Sequence, residues 1–194
     1  MAQPFTEAQR SAIRQQLFDS ACRFALTPGV RKTSLEMLTV EAGISKSSFY
    51  KFFESKEELF LRVAAHWEAT ALTRASQALE RSAGRSDKER AADFVFTAFE
   101  TIRQLGIERF LREDLPALRD AFPEEAARRH CMNSAANLFA RLQQAHIRFT
   151  APDATVRSVI QLMYLSILNS AEIGDSFFPA LRELVASACD RLVA

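Results

Sequence analysis

Residues 33–60 read TSLEMLTVEAGISKSSFYKFFESKEELF, and their punctuation decides the fold. Two short helices joined by a glycine turn, with a third helix following at once, form the layout of a helix-turn-helix DNA reader coupled to a second domain. Thr33 with Glu36 three positions later is a capping box at the start of the first helix. Leu35, Leu38 and Ala42 share one side of that helix. Gly43 ends it by entering the left-handed conformation at little steric cost. Ile44 is the expected hydrophobic pin of the turn, and Ser45 is the expected N-cap of the second helix. Ser55 with Glu58 makes another capping box, so a third helix begins at Lys56. Each cap contributes about 1 kcal/mol, enough to set boundaries in elements this short.

On a wheel of about 100° per residue, Lys46, Ser47, Tyr50 and Lys51 fall on one arc of the second helix. Ile44, Ser48, Phe49, Phe52 and Phe53 fall on the opposite arc. The aromatic arc can anchor to neighbouring helices, while the basic, hydrogen-bonding arc suits a helix entering a major groove. An ordinary amphipathic helix with a solvated basic face presents the same pattern.

The run GISKSSFYKFFESKEELF resembles the signature of TetR-type bacterial transcription regulators. There a glycine turn leads to a serine-lysine start, an aromatic-tyrosine pair, a phenylalanine, and a lysine opening the next helix. The resemblance covers roughly Phe18 to Leu61. It implies that Tyr50 binds a phosphate, that Lys56 does so from a helix N-terminus, and that Lys46, Ser47 and Lys51 face the groove. It further implies that Thr33 caps the helix before the turn and meets the DNA backbone. The chain departs from the family pattern at Ser47, where glycine is frequent, at Phe52, where His or Tyr is common, and at Thr39, where a small alanine usually sits.

Composition fits an all-α regulator. A chain of 194 residues supports one or two domains with a substantial core. With 48% hydrophobic residues and only 5 Gly and 6 Pro, disorder is excluded and a turn-rich β fold disfavoured. The formal net charge of +1 says little, because DNA binding needs local positive charge. Between Arg23 and Lys56 six basic residues stand against three acidic ones, a local excess of +3. The start, MAQPFTEAQR, has no apolar core behind a basic segment, and the longest apolar run, near Ile160 to Leu168, is too short to span a bilayer. A cytoplasmic protein with no membrane partner is expected. Cys22, Cys131 and Cys189 are scattered without metal-like spacing and read as buried, reduced thiols. The spacing of His66, His130 and His146 gives no argument for a metal, and no cofactor is expected.

Successive helices fill the rest of the chain. Thr6 with Gln9 caps a first helix whose Ile13, Leu17, Ala21 and Phe24 form one apolar stripe, completing a three-helix head. The expected division is a helix-turn-helix DNA-binding domain over 1–55 and a helical effector-binding and dimerisation domain over 56–194. The helix from Lys56 runs to about Arg81, roughly 40 Å at 1.5 Å per residue, and is a mechanical link between the two. Ser86 with Glu89 opens a Phe-rich helix expected to be buried nearly all round. Short helix and loop follow from Gly106 to Pro123, then a long helix from Glu124 to about Ile147. Pro152 and Asp153 open a helix reaching to Gly174, and Ser176 caps the last, with Pro179 tolerated in its first turn.

The last two helices carry apolar stripes, Val156, Ile160, Met163, Ile167 and Ala171 on one, and Phe177, Leu181, Leu184, Ala188 and Leu192 on the other. Further apolar residues lie off the stripes. Core packing explains one stripe per helix, and the wider coverage suggests a second buried surface. The resemblance implies that these helices pair with the same two of a second subunit, with Ile160, Ile167, Leu181, Leu184 and Ala188 at a homodimer interface. It also implies an effector pocket in the second domain. Trp67, Phe96, Phe99, Met132, Phe139 and Met163 are its candidate apolar lining, and Asn137, Gln161 and Tyr164 its polar handles. For each aromatic and methionine, ordinary core packing is the simpler explanation.

The function expected is a ligand-responsive DNA-binding transcriptional regulator, a repressor released from a palindromic double-stranded operator by a small, largely apolar effector. A helical small-molecule-binding protein or enzyme, using the helix-turn-helix only as scaffold, is the alternative. Against catalysis, the chain has no nucleophile–base motif, phosphate loop or paired metal ligands.

Overall fold

The computed structural model describes residues 5–121 and 134–194. These fold as helices: α1 (Glu7–Leu26), α2 (Leu35–Glu41), α3 (Lys46–Phe49), α4 (Lys56–Arg81), α5 (Asp87–Leu105), a π-helical turn (Phe110–Asp114) running into α6 (Leu115–Asp120), α7 (Ser134–Gln144), α8 (Asp153–Ile167), α9 (Ser170–Ile173), a 3-10 turn (Gly174–Ser176) and α10 (Phe177–Leu192). No strand occurs among the described residues. A single antiparallel bridge pairs Phe149 with Val193.

The chain divides into two compact units, Met1–His66 with Arg109–Cys131, and Trp67–Glu108 with Met132–Ala194. Arg109 to Asp120 therefore packs with the N-terminal head, which an expected boundary at residue 55 did not include. α4 belongs to the first unit up to His66 and to the second from Trp67.

In the first unit, α1 opens with the expected capping box: the Gln9 amide donates to the Thr6 hydroxyl, and the Thr6 amide donates to the Gln9 side chain. Ile13, Leu17, Ala21 and Ala25 are its buried stripe, and Phe24 is half-buried. The cap of α2 stands one residue later than expected. Ser34, not Thr33, accepts from the Met37 amide at 3.2 Å. Thr33 is 1% exposed and turns inward, donating its hydroxyl to Gly29 O at 2.8 Å. Gly43, at φ +63°, ends α2 as expected, and the Ile44 amide donates back to Thr39 O at 3.0 Å.

The second unit packs α5 against α10 and α8, and α7 against α8. Phe94, Phe96 and Phe99 of α5 are all buried, as their density in the sequence requires. The helix expected from Asp153 to Gly174 is broken. α8 ends at Ile167, and the Asn169 amide makes a tight bond to Ser166 O at 3.1 Å before α9 begins. Ser166 contributes by donating its hydroxyl to Met163 O at 2.7 Å, a back-bond that bends helices. Ser176 precedes α10 without the side-chain cap expected of it. α7 ends at Gln144, earlier than expected, with His146 in the left-handed region at φ +61°. The start expected for that helix, at Glu124, lies outside the described residues.

Candidate nucleic-acid interface

The surface begins with an aromatic anchor. Phe49, Phe52 and Phe53 are 0%, 6% and 3% exposed, and the Phe49 and Phe53 rings lie 5.8 Å apart. Ser45 caps α3 by accepting from the Ser48 amide at 3.2 Å. α3 proper is only four residues long. After Phe49 the backbone tightens, with Lys51 N–H to Ser48 O at 3.1 Å and Phe52 N–H to Phe49 O at 2.9 Å. The two arcs expected from the wheel nevertheless separate as drawn: Lys46, Ser47, Tyr50 and Lys51 are all exposed.

Each exposed side chain has a distinct environment. Lys46 Nζ lies 3.0 Å from Glu36 Oε2 across the turn, with both side chains more than half exposed. Such a pair contributes little stability and opens readily to another acceptor. The Ser47 hydroxyl shares a hydrogen bond with Ser45 at 2.9 Å. The Tyr50 ring, 61% exposed, stands edge-on to Phe49 at 5.6 Å. Lys51 makes no ion pair among the described residues and stands 5.9 Å from the Phe5 ring centroid. Four side chains able to meet phosphate or base edges thus project from a support that is itself buried.

Thr33 and Lys56 are placed differently. The Thr33 hydroxyl is buried and committed to Gly29 O, so it fixes the turn into α2 and is not displayed to a partner. Lys56 Nζ donates to Thr33 O at 2.9 Å and Val30 O at 3.1 Å, with its side chain 21% exposed. An ammonium has three N–H donors, and beyond these two carbonyls the half-exposed Glu57 carboxylate lies 3.8 Å away. Its neighbour Glu58 is buried. Ser55 Oγ accepts from the Glu58 amide at 3.0 Å, and Glu58 Oε2 accepts from the Glu54 amide at 3.0 Å. The box expected between Ser55 and Glu58 therefore closes one residue further back than its usual form. Arg62 pairs with the Glu58 carboxylate.

α2 is held to α1 by charge. Ser20 donates to Glu41 Oε2 at 2.6 Å, and Arg23 pairs with the same carboxylate. The Ser20 hydrogen bond, and then Arg23, hold the Glu41 carboxyl below its ordinary range. Arg10 and Phe5, which sequence reasoning did not single out, cover Phe52. No local pattern could reveal that contact, because it joins the first helix to the end of the turn.

In the second unit, four of the eight described residues expected in a pocket are buried. Trp67, Phe96, Phe99 and Phe139 are 5%, 6%, 1% and 3% exposed. Phe139 packs on Phe149 at 5.3 Å, and the Arg182 guanidinium lies 3.8 Å from the Phe96 centroid. Asn137 is exposed and donates to Glu68 at 2.8 Å. Gln161, Met163 and Tyr164 are half-buried, and Met132 lies outside the described residues. A wholly apolar cavity of about 30 Å³ is lined by Val95, Leu142, Phe149, Ile160, Met163 and Cys189, among others. Of the described residues expected to line a pocket, Met163 alone reaches it. Its volume is far below the ~300 Å³ of small ligand pockets. Burial pushes the Cys189 thiol up to about 11, and burial followed by the charge of Asp19 does the same to Cys22, also about 11. Neither supplies much thiolate near neutral pH. The described residues contain no cluster of His, Cys, Asp and Glu able to hold a metal. None of their helices is long and apolar enough to cross a membrane.

The five residues expected at a subunit interface separate sharply. Ile160, Ile167 and Leu181 are 4%, 0% and 1% exposed and belong to the subunit's own core. Ala188 is half-buried against the apolar cavity. Leu184 is 60% exposed, as are Leu162 at 67%, Leu165 at 46% and Ile173 at 58%.

Residues 17–63 match the family model described as bacterial regulatory proteins, tetR family. No curated protein matches the chain in sequence. Among solved structures, FadR from Bacillus subtilis in complex with stearoyl-CoA is similar at 15% identity, over 90% of this chain and 96% of that one, with a TM-score of 0.64. A TetR-family transcriptional regulator from Bordetella parapertussis 12822 is 20% identical over 91% and 93%, with a TM-score of 0.60. RolR in complex with resorcinol is 18% identical over 95% and 94%, with a TM-score of 0.56. At these identities the likeness is one of fold, and it extends over nearly the whole of each chain.

Proposed function

The chain belongs to the TetR family of bacterial regulatory proteins through its residues 17–63, and we propose that it is a ligand-responsive transcriptional repressor, released from a palindromic operator by a small, largely apolar effector. The observation that carries the DNA-binding part is the row of Lys46, Ser47, Tyr50 and Lys51, exposed on a turn whose other side is locked down by Phe49, Phe52 and Phe53. Tyr50 meets a phosphate, and Lys51 lies on the groove-facing side with Lys46 and Ser47. Lys46 exchanges Glu36 for the DNA, and Ser47 stands beside it to meet base edges. Lys56 braces Val30 and Thr33 and turns its third N–H from Glu57 to the DNA backbone.

The N-terminal helix-turn-helix unit reads DNA, and the second helical unit binds the effector and pairs the subunits. One four-residue reading helix covers too few bases for useful specificity, so two subunits read two half-sites. The exposed leucines 162, 165 and 184 supply the apolar face for that pairing. FadR was solved in complex with stearoyl-CoA and RolR with resorcinol, which supports a small-molecule effector that carries apolar carbon. If the effector enters the apolar cavity of about 30 Å³, that cavity must widen, and such a rearrangement is how its binding would reach the reading head through α4. Coupling of this kind is typically about 1–3 kcal/mol, or roughly 5- to 150-fold in DNA affinity.

Binding to the DNA upstream of its own gene, measured by gel shift with and without candidate acyl or phenolic compounds, tests the reading. Retarded DNA released by one compound is the expected result. Retardation that no compound reverses leaves a DNA-binding protein without this switch, and no retardation removes the regulator.

A further inference from the structure

Phe52 is a platform for a cation from another helix. Its ring is 6% exposed because two side chains near the start of the chain cover it. Phe5 lies against it with centroids 6.0 Å apart, and the Arg10 guanidinium stands 5.7 Å from its centroid. The Lys51 ammonium stands 5.9 Å from the Phe5 centroid. Two neighbouring rings therefore carry a cation at each end, Arg10 on Phe52 and Lys51 on Phe5.

Neither the Arg10 nor the Lys51 side chain makes a hydrogen bond or ion pair with any described residue. A cation held by a ring keeps its N–H groups, because the attraction is to the ring quadrupole and uses no acceptor. A planar guanidinium so held is pre-oriented and still carries five donors, the arrangement suited to a phosphate. The acids nearest in sequence are Glu7, in the first turn of α1, and Glu54, both exposed. Glu58 is already committed to Arg62 and the Glu54 amide.

Building on the DNA-binding reading above, we propose that Arg10, stacked on Phe52, is a DNA-backbone contact flanking the reading helix, with Phe5 holding Lys51 in the same row. The occupant is a phosphate of duplex DNA. Phe52, with no polar atom of its own, acts as a positioning residue for Arg10.

The test uses the full chain and a short mixed-sequence duplex, since a phosphate contact is indifferent to sequence. Affinity is followed by fluorescence anisotropy as salt rises from about 50 to about 200 mM. One phosphate contact contributes about 0.9 to the slope of log affinity against log salt. Arg10→Ala should lose that amount for each subunit bound, so the same rise in salt costs it roughly 3.5-fold less per subunit than the wild type. Arg10→Lys should keep the slope. A merely structural role for Arg10 would lower the folded fraction, reducing apparent affinity by one factor at every salt concentration and leaving the slope alone. Phe52→Leu removes the ring, and in that background Arg10→Ala should cost less than it does alone. If Phe52→Leu does not fold, Phe5→Leu puts the same question to Lys51. An Arg10→Ala protein with wild-type affinity and slope, on a duplex the wild type binds, overturns the proposal and leaves DNA binding standing. A wild type that binds no duplex even at low salt removes the DNA-binding reading itself and this contact with it.

Discussion

Arg109 lies across Gly29: a Cβ at position 29 would come within 2.8 Å of Arg109 Nη1. Gly29 sits at φ +86° in the turn that closes α1, its amide donating to Phe24 O at 2.9 Å. From this position Arg109 Nη2 donates to Ala25 O at 2.7 Å, while Nη1 lies 3.7 Å from the Asp114 carboxylate, whose side chain is 5% exposed. One guanidinium thus satisfies a carbonyl in the last turn of α1 and faces a buried acid. The bare backbone of glycine leaves it the room.

Gly29→Ala should therefore destabilise the protein by about 1–2 kcal/mol from left-handed strain alone, and by more if Arg109 is displaced. Arg109→Ala should cost about 1–3 kcal/mol, because it frees the Ala25 carbonyl and leaves Asp114 without its nearest cation. Urea denaturation of the two single variants and the double variant separates the contributions. The double should cost less than the sum, since the clash disappears with the side chain. A Gly29→Ala midpoint equal to that of the wild type would show that the turn relaxes without strain.

Lys56 is expected to have two separable effects. Lys56→Met removes the bonds to Val30 O and Thr33 O and should cost about 1–2 kcal/mol with no DNA present. If its remaining N–H meets a phosphate, the salt slope of DNA binding should also fall by about 0.9 per subunit. A melting shift without a slope change would make Lys56 a brace for the turn and nothing more.

The start of α5 should loosen in acid. The Ser86 hydrogen bond, and then Arg85, bring the Glu89 carboxyl down from its ordinary 4.5 to about 2. A depressed carboxylate stabilises fully above its unfolded value, and that stabilisation is lost as pH falls through the folded one. Fraying of the capping box is thus expected as pH drops from the ordinary carboxylate range to about 2. Carboxyl NMR titration checks it: Ser86→Ala should raise the Glu89 midpoint, whereas an unmoved midpoint would leave Arg85 as its whole cause.

Much of this was legible in the sequence wherever neighbours along the chain decide the geometry. The box of Thr6 and Gln9, the Ser45 cap, the stop at Gly43 and the opposition of Phe49 to Lys46 are all local. At Thr33 the local rule failed by one residue. Thr33 and Ser34 offer the same chemistry, and the choice between them was made by Gly29 O, which drew Thr33 inward. The subunit surface was less legible for a different reason. Helical spacing finds stripes such as Ile160 with Ile167, but apolar residues lie on both sides of α8 and α10. Only the packing of α5 and α7 shows which side the chain covers itself. Contacts between distant segments, Arg10 on Phe52 and Arg109 on Gly29, leave no periodic trace.

That division between covered and uncovered faces gives the last prediction. Leu181 and Leu184 are three residues apart on α10, yet the first is 1% and the second 60% exposed. A charge at Leu181 must be buried in the subunit's own core, where nothing pairs with it, so Leu181→Arg should fail to fold. A charge at Leu184 meets water in the isolated subunit. It is buried only if a second copy covers Leu162, Leu165 and Leu184. Leu184→Arg should therefore keep wild-type helicity and become a monomer at micromolar concentration, with DNA affinity falling because two linked half-sites become one. Light scattering together with circular dichroism distinguishes the cases. A Leu184→Arg protein that stays dimeric would place the pairing surface elsewhere, and an unfolded one would mean that position 184 supports the subunit itself.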